Sequence, residues 1–579
     1  MASMEELLGR ALAEHLPLSA EDLAGLLQTP PSPELGDYGL PCYALSKYLH
    51  KAPDRIAEEL RAEVELPEGV CEARAEGAYL NFFVDRPAVT EHVIRTILAG
   101  GADYGSDQQG AGKTIVIDYG SPNIAKHLGI HHLPSAVIGQ SLYRIYEKLG
   151  YRCVGINFLG DWGTSFGRLI AGVERYGIEH PERLSVADMQ ELYVRYSTEA
   201  DGEPELQQAA RDAFRRLEEG EQQAVRIWSA CREVSLEEFD RVYGRLGVSF
   251  DEVRPESFYN ERLRETVERL RRDGIVQESQ GALIIPLYED GLPPCMLQKS
   301  DGASLYAARD LPAAEHRWEQ YHFEKALYVV GNEQSLHFRQ LAAALKQMGH
   351  EWADRIKHVN FGLIKFRDPE TGRARVGSTR RGEMLLLDEV LDEAVARARR
   401  KIEDNAERLE AEADLGELAA QVGVGAVVFR QLSTRRTRDV VFEWDRMLDF
   451  EGDTGPYVQY AHARLCSILR KAGQPMAADV DHSLLALPEE WVLVRHLERF
   501  PRAVLGAAQE CEPSAIASYL LELCADFSTY YSAGMREPDR RVLCEDAATR
   551  AARLALVEAA RHVIRSGLAL LGMAAPDRM

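Results

Sequence analysis

The chain has 579 residues, with 68 lysines and arginines against 92 aspartates and glutamates, a formal charge of −24. That length implies roughly three to five folding units. The composition, 45% hydrophobic and 28% charged with 45 Gly and 25 Pro, excludes disorder, collagen-like repeats and disulfide scaffolds.

Residues 1–105 read as a small α+β module. A helical start (Glu5 to His15) and a helix from about Cys42 to Val64 flank the turn-rich Pro30-Pro31-Ser32-Pro33, and the alternating run Ala78–Val84 predicts a strand. A glycine-rich linker leads to Thr114-Ile115-Val116-Ile117-Asp118-Tyr119, a short apolar run suited to a strand buried on both faces. A loop with Ser121-Pro122-Asn123, helical periodicity over Leu133–Leu149 and a second strand-like run, Tyr151–Phe158, complete a βαβ unit. Such a unit implies a parallel sheet with ligands at the strand C-termini. Residues 175–245 are charge-rich and helical in period, a helical insertion. Strand-like runs return at Ala282–Pro286, Ala326–Val330 and His358–Phe361, and beyond about 383 the pattern is helical to the end.

No apolar run reaches the ~18 residues of a membrane span, and Glu5, Glu6 and Arg10 spoil a signal-peptide start. The nine cysteines include no CxxC pair, so no structural zinc site is expected, and the expected compartment is the reducing cytoplasm. The acidic balance leaves nucleic-acid binding open, because binding depends on local patches. Two basic clusters, Arg397/Arg399/Arg400/Lys401 and Arg435/Arg436/Arg438, read most simply as solvated helix faces.

The densest chemistry lies in Ser121-Pro-Asn-Ile-Ala-Lys126-His127-Leu-Gly129-Ile-His131-His132, where a parallel strand feeds a helix N-terminus. Backbone N–H groups there favour anions, and Lys126 with the imidazoles suits a polyphosphate. Neither a P-loop GxxxxGK[ST] nor a GxGxxG fingerprint is present.

Several separate motifs in order give the chain its resemblance. They are Leu35-Gly36-Asp37-Tyr38, Ser121–Lys126, Gly160-Asp-Trp-Gly-Thr164, Leu305-Tyr-Ala-Ala-Arg-Asp310, Glu333-Gln334-Ser-Leu-His-Phe338 and Phe450–Arg464, with a close on Ala575-Pro-Asp-Arg-Met579. The chain resembles the arginyl-tRNA synthetases, class I aminoacyl-tRNA synthetases, over essentially its whole length. The resemblance implies an α/β fold: a Rossmann-like parallel-sheet catalytic domain (106–382) with the helical insertion (175–245), an N-terminal tRNA-binding module (1–105), a helical connector (383–422) and a C-terminal all-α anticodon-binding domain (423–579). It implies ATP with Mg²⁺, arginine and tRNA(Arg) as partners, no membrane, and a monomer in the cytoplasm.

Residue roles follow from the resemblance. Ser121 and Asn123 would hold the amino acid's α-amino and carboxylate groups. Asp310 would meet the guanidinium, since a planar cation prefers a carboxylate fork; Tyr306, one helical turn earlier, and Gln334 would complete that pocket, with Glu256 as a second carboxylate. Gly129, His131, His132, Gly160, Asp161 and Ser378 would line ATP, and Lys126, His132 and Arg380 would serve the chemistry. Tyr457, Tyr460, Tyr531 and Met579 are candidates to touch tRNA, because aromatics stack on unpaired bases.

Two signatures depart from the family. Where it reads His-x-Gly-His, this chain reads Gly129-Ile130-His131-His132, so an imidazole is lost where phosphate contact is expected and a ring enters where bare backbone lets adenine approach. The second signature, Lys-Met-Ser-Thr-Arg-Lys-Gly in many synthetases, reads Val376-Gly-Ser378-Thr379-Arg380-Arg381-Gly382 and lacks its lysine, a role that Lys126 fills in many arginyl enzymes. The leading expectation is an arginine–tRNA ligase with a rearranged nucleotide loop. The alternatives are a derived protein that binds tRNA or arginine without activating it, and an adenylyl transferase acting on another acceptor.

Overall fold

The computed structural model describes residues 3–298, 306–367, 373–376, 385–404, 414–473 and 480–579. The chain divides into two compact units: residues 1–104 with 464–502 and 522–566, and residues 105–463 with 503–521 and 567–579.

In the first unit, strands β1 (Tyr38–Pro41), β2 (Val70–Glu76) and β3 (Tyr79–Val84) form an antiparallel sheet in the order β1-β3-β2. Helices Met4–Ala13 and Pro53–Glu63 accompany it, the first opened by a Ser3/Glu6 capping box. The Leu35–Tyr38 motif serves packing here. Asp37 is buried, and its carboxylate accepts from the Val84 amide (3.0 Å), Arg86 Nε (2.9 Å) and the Trp491 indole (3.0 Å) of helix Pro488–Glu498. Glu5 likewise receives Arg499 and Arg502, each at 2.7 Å.

The second unit is built on five parallel strands in the order β11-β10-β4-β5-β6: β4 (Thr114–Asp118), β5 (Arg152–Asn157), β6 (Glu252–Val253), β10 (Lys325–Tyr328) and β11 (Ile356–His358). Every residue of β4 is buried, as its unbroken apolar run predicts. Helices Leu133–Lys148 and Ser335–Gln347 follow β4 and β10, helix Tyr306–Tyr321 leads into β10, and Val116, Ile156, Leu311, Ala326, Phe338 and Trp352 share one core. The run at Ala282 is not part of this sheet. It forms β8 (Ala282–Ile285) of a separate antiparallel sheet with β7 (Gln277–Ser279) and β9 (Cys295–Gln298).

The region after 383 is not wholly helical. Strand β14 (Val440–Phe442) pairs with β12 (Ile364–Arg367), which also pairs with β13 (Ala374–Val376). The charge-rich insertion is helical throughout its length from Val186: Val186–Ala200, Pro204–Glu218 and Gln222–Arg245. Both basic clusters behave as structural charge. Arg397 and Arg399 pair with Glu393 and Glu403 one turn away, and Arg436 donates to the Asn360 and Cys511 carbonyls. Among the described residues no helix is long and apolar enough to cross a membrane.

Candidate active site

Sheet order locates the site. From β4 the chain proceeds outward through β5 and β6, while β10 and β11 are added on the other side, so the strand order reverses between β4 and β10. Loops leaving the C-terminal ends of neighbouring strands diverge at such a reversal and leave a crevice. Here the loops are 119–132 after β4 and 329–334 after β10. Ser135 ties them at their base, accepting from the Gly120 amide (2.9 Å) and donating to the Val329 carbonyl (2.7 Å).

The loop after β4 is bent by backbone conformations that few residues adopt. Gly120 has φ +82°, Ser121 +45° and Ala125 +61°. At Gly120 a side chain would also stand 2.9 Å from the Phe250 ring, so only glycine suits the turn. The Ser121 amide donates to Asn157 Oδ1 (3.1 Å) and its hydroxyl to Asp118 Oδ1 (2.8 Å), so the Ser121 hydroxyl is already engaged. Asn123 is exposed and pairs through its backbone with Gly160, whose missing Cβ would lie 2.0 Å from the Asn123 side-chain oxygen. Gly160 therefore supports Asn123.

Asp161 departs from the sequence expectation of an ATP contact. It is fully buried, and its two carboxylate oxygens accept from the Ser257 amide (2.9 Å) and hydroxyl (2.7 Å). Its work is to hold the turn after β6. Glu256 also differs from expectation: it is buried beside Arg309, 3.6 Å away. One of its oxygens has no hydrogen bond, so burial outweighs the arginine and pushes its carboxyl up to about 7.

Asp310 lies in the first turns of helix Tyr306–Tyr321, and its carboxylate meets His337 Nε2 at 2.6 Å. It is close enough to Asp118 for its charge to favour the protonated form there. Gln334 is exposed in the short turn before helix Ser335–Gln347, three residues from His337. The Asp310, Gln334 and Asn123 expectations thus fall on loops and helix starts around one crevice. The Tyr306 side chain, Ser378 and Arg380 lie outside the described residues.

The altered signature forms a short turn, Ile130–His132, at the start of helix Leu133–Lys148. His132 folds back on that turn, with Nδ1 3.1 Å from the Gly129 nitrogen and 3.2 Å from its oxygen, and leaves Nε2 for a ligand. Burial, with the neighbouring His131, pushes His132 down to about 3, so its ring is neutral at physiological pH. His131 lies against it, ring centroids 4.0 Å apart; the residue is exposed at its surface, yet the atoms packed around its ring lower its proton affinity. Gly129 pairs with Leu386, and the Ile130 amide donates to the Leu385 carbonyl at 2.9 Å, so this loop is stitched to the segment after the second signature. Lys126 is exposed and makes no ion pair among the described residues. His127 meets Glu238 of the insertion helix at 2.6 Å, a contact that sequence spacing does not reveal.

The tRNA candidates are all partly buried. Tyr460 meets Phe450 edge-on (6.3 Å), and Tyr531 lies against Phe527 (6.1 Å) under Arg464 (4.9 Å). Tyr457 and Met579 are half-buried.

Three family models match the chain: the arginyl tRNA synthetase N-terminal domain over residues 2–84, the class I (R) tRNA synthetase catalytic domain over 93–444 and the DALR anticodon binding domain over 458–579. The chain is 42% identical to an arginine–tRNA ligase of Clostridium perfringens, covering 99% of this chain and 100% of that one. It is also 42% identical to one of Clostridium beijerinckii, covering 98% of each. Its fold is similar to the Thermus thermophilus arginyl-tRNA synthetase structure, with a TM-score of 0.81 and 28% identity over 100% of this chain and 99% of that one.

Proposed function

The chain belongs to the arginyl-tRNA synthetase family, and from that premise we propose that it is an arginine–tRNA ligase that uses ATP to join arginine to tRNA(Arg). The observation that carries this reading is the Asp118–Ser121–Asn123 loop standing at the strand-order reversal with Asp310 within electrostatic reach.

In the first step an oxygen of the arginine carboxylate attacks the α-phosphorus of ATP. The bond from that phosphorus to the bridging oxygen breaks, and pyrophosphate leaves. In the second, a terminal ribose hydroxyl of tRNA attacks the arginyl carbonyl and AMP leaves. Neither step needs a covalent enzyme intermediate, so the protein's share is positioning and charge neutralisation.

Asn123 is assigned the amino acid's polar end, supported by its exposure on a loop that Gly160 and Ser121 hold. Asp310, oriented by His337, is assigned the guanidinium, with Gln334 beside it and Tyr306 one turn away. Ser121 and Glu256 act from behind: Ser121 through Asp118, Glu256 through Arg309. ATP is assigned to the turn at Gly129–His132. His131 and the Nε2 of His132 would supply neutral hydrogen bonds, and Lys126 the mobile positive charge, with Ser378 and Arg380 as further contacts by resemblance. Mg²⁺ neutralises phosphate charge when it accompanies ATP. Asp118, Asp161 and Asp310 are each engaged by an arginine, a serine or a histidine, so among these carboxylates Asp310 at the crevice would be the nearest to a metal that accompanies ATP. Tyr457, Tyr460, Tyr531 and Met579 are assigned to tRNA.

The test is arginine-dependent exchange of labelled pyrophosphate into ATP, with tRNA(Arg) present. Exchange that requires arginine supports activation; tRNA binding without any exchange would instead identify a binding protein.

A further inference from the structure

Among the described residues Arg317 is the largest fully buried side chain, 1% exposed, on the same helix as Asp310 and two turns further along the same face. One of its nitrogens, Nη2, meets Asp118 Oδ2 at 2.6 Å. Its Nε and Nη1 have no hydrogen-bond partner, and the guanidinium lies over the rings of Tyr328 (5.0 Å) and Phe158 (5.5 Å). Burying a cation with one carboxylate and the hydroxyls of Tyr259 and Tyr328 around it is a poor way to gain stability, since an apolar residue of similar volume often serves as well. What the arrangement does achieve is geometric.

We propose that Arg317 is a positioning residue for the amino-acid end of the reaction: it fixes Asp118, Asp118 fixes Ser121, and Ser121 sets the loop that presents Asn123. Each link is short. The other Asp118 oxygen accepts the Ser121 hydroxyl at 2.8 Å, and the Ser121 amide is held by the buried Asn157. Ser121 has φ +45°, a conformation that costs a serine energy and persists only where its surroundings impose it. The Asp118 carboxyl is the imposing group: burial raises its proton affinity, and Arg317, its ion-pair partner at 2.6 Å, opposes that rise and fixes its orientation. Two residues beyond Ser121, Asn123 inherits the placement and is locked against Gly160. Arg317 touches no substrate in this scheme.

The inference rests on the reading of the chain as an arginine–tRNA ligase, and the experiment separates the two. Charging and pyrophosphate exchange are measured on the full chain and on Ser121→Ala, Arg317→Lys, Arg317→Met and Ser121→Ala/Arg317→Met, titrating arginine and ATP separately. Each single variant should raise the KM for arginine by about tenfold, the scale on which a small displacement of a positioned group acts, with the KM for ATP unchanged. Lys, which keeps the charge but not the fork, should restore part of that loss relative to Met. The double variant should be no worse than the poorer single one, because both act through one chain of contacts. If Arg317→Met does not fold, Ser121→Ala and Arg317→Lys carry the test. Unchanged arginine KM in Ser121→Ala or in folded Arg317 variants, or losses that multiply in the double variant, would overturn the inference while leaving a charging wild type intact. A wild type with no exchange would overturn the functional reading itself.

Discussion

At the residue scale, arginine recognition in the proposed site depends on Asp310. A buried or partly buried site built to hold a cation rejects substrate strongly when the paired carboxylate is removed. Asp310→Ala should therefore lower kcat/KM for arginine by about a hundredfold or more, with tRNA affinity within about twofold of wild type. Exchange kinetics and filter binding measure the two, and arginine kinetics left unchanged would remove Asp310 from the site. The altered signature makes a second residue-scale prediction. Gly129 is buried and its backbone is paired with Leu386, so a histidine there must displace its surroundings. Restoring the family order with Gly129→His and His131→Gly should leave the charging rate unchanged or lower it, and the single variants should be non-additive with the double. A restored variant that charges much faster than wild type would mark the swap as a lesion.

At the element scale, the regular parts of the fold were legible and the irregular parts were not. The unbroken apolar run of β4 and the helical period after it gave the parallel strand, its loop and the helix that follows, because both signals are local. Strand β14 was missed since three residues inside a helical region carry no period, and β8 was legible as a strand but not as a member of a second sheet. The site carboxylates show the same limit. Motif position led to Asp161 and Glu256 as ligand contacts, but Ser257 and Arg309, which occupy them, are distant in sequence from Asp161 or invisible to spacing rules. Glu256 carries the element-scale prediction, since it sits on the turn that joins β6 to helix Asn260–Arg272. Its carboxyl is raised from 4.5 to about 7 on folding, so the folded state holds the extra proton between those values. Its stabilising contribution is complete below 4.5 and is lost as pH rises through 7. Between pH 5 and 8, Glu256→Gln should gain about 2–3 kcal/mol on wild type in urea unfolding. Parallel pH profiles for the two proteins would contradict this.

At the scale of the whole molecule, a net charge of −24 and a polyanionic partner have to be reconciled. Distant acidic residues are screened beyond about 8–10 Å at physiological salt, whereas lysines and arginines in contact release counterions from the RNA. Binding of tRNA(Arg) should therefore weaken steeply with salt, log affinity falling linearly with log concentration. Undetectable binding at low salt would contradict the assignment of residues 458–579 to the anticodon. Asp37 of the N-terminal motif is spent on Arg86 and Trp491 within its own unit, a structural role that its motif position does not reveal.

The central claim is that a chain with a rearranged nucleotide loop, and with Asp310 at the crevice beside the strand-order reversal, charges tRNA with arginine at the expense of ATP. The most direct measurement is acylation of a tRNA(Arg) transcript by the wild-type protein, with arginine or its uncharged isostere citrulline, with and without ATP. The account predicts acylation by arginine that requires ATP, and a rate with citrulline lower by about a hundredfold or more, because a neutral ureido group leaves the carboxylate unpaired. No acylation under any of these conditions, or equal rates with the two amino acids, would contradict it.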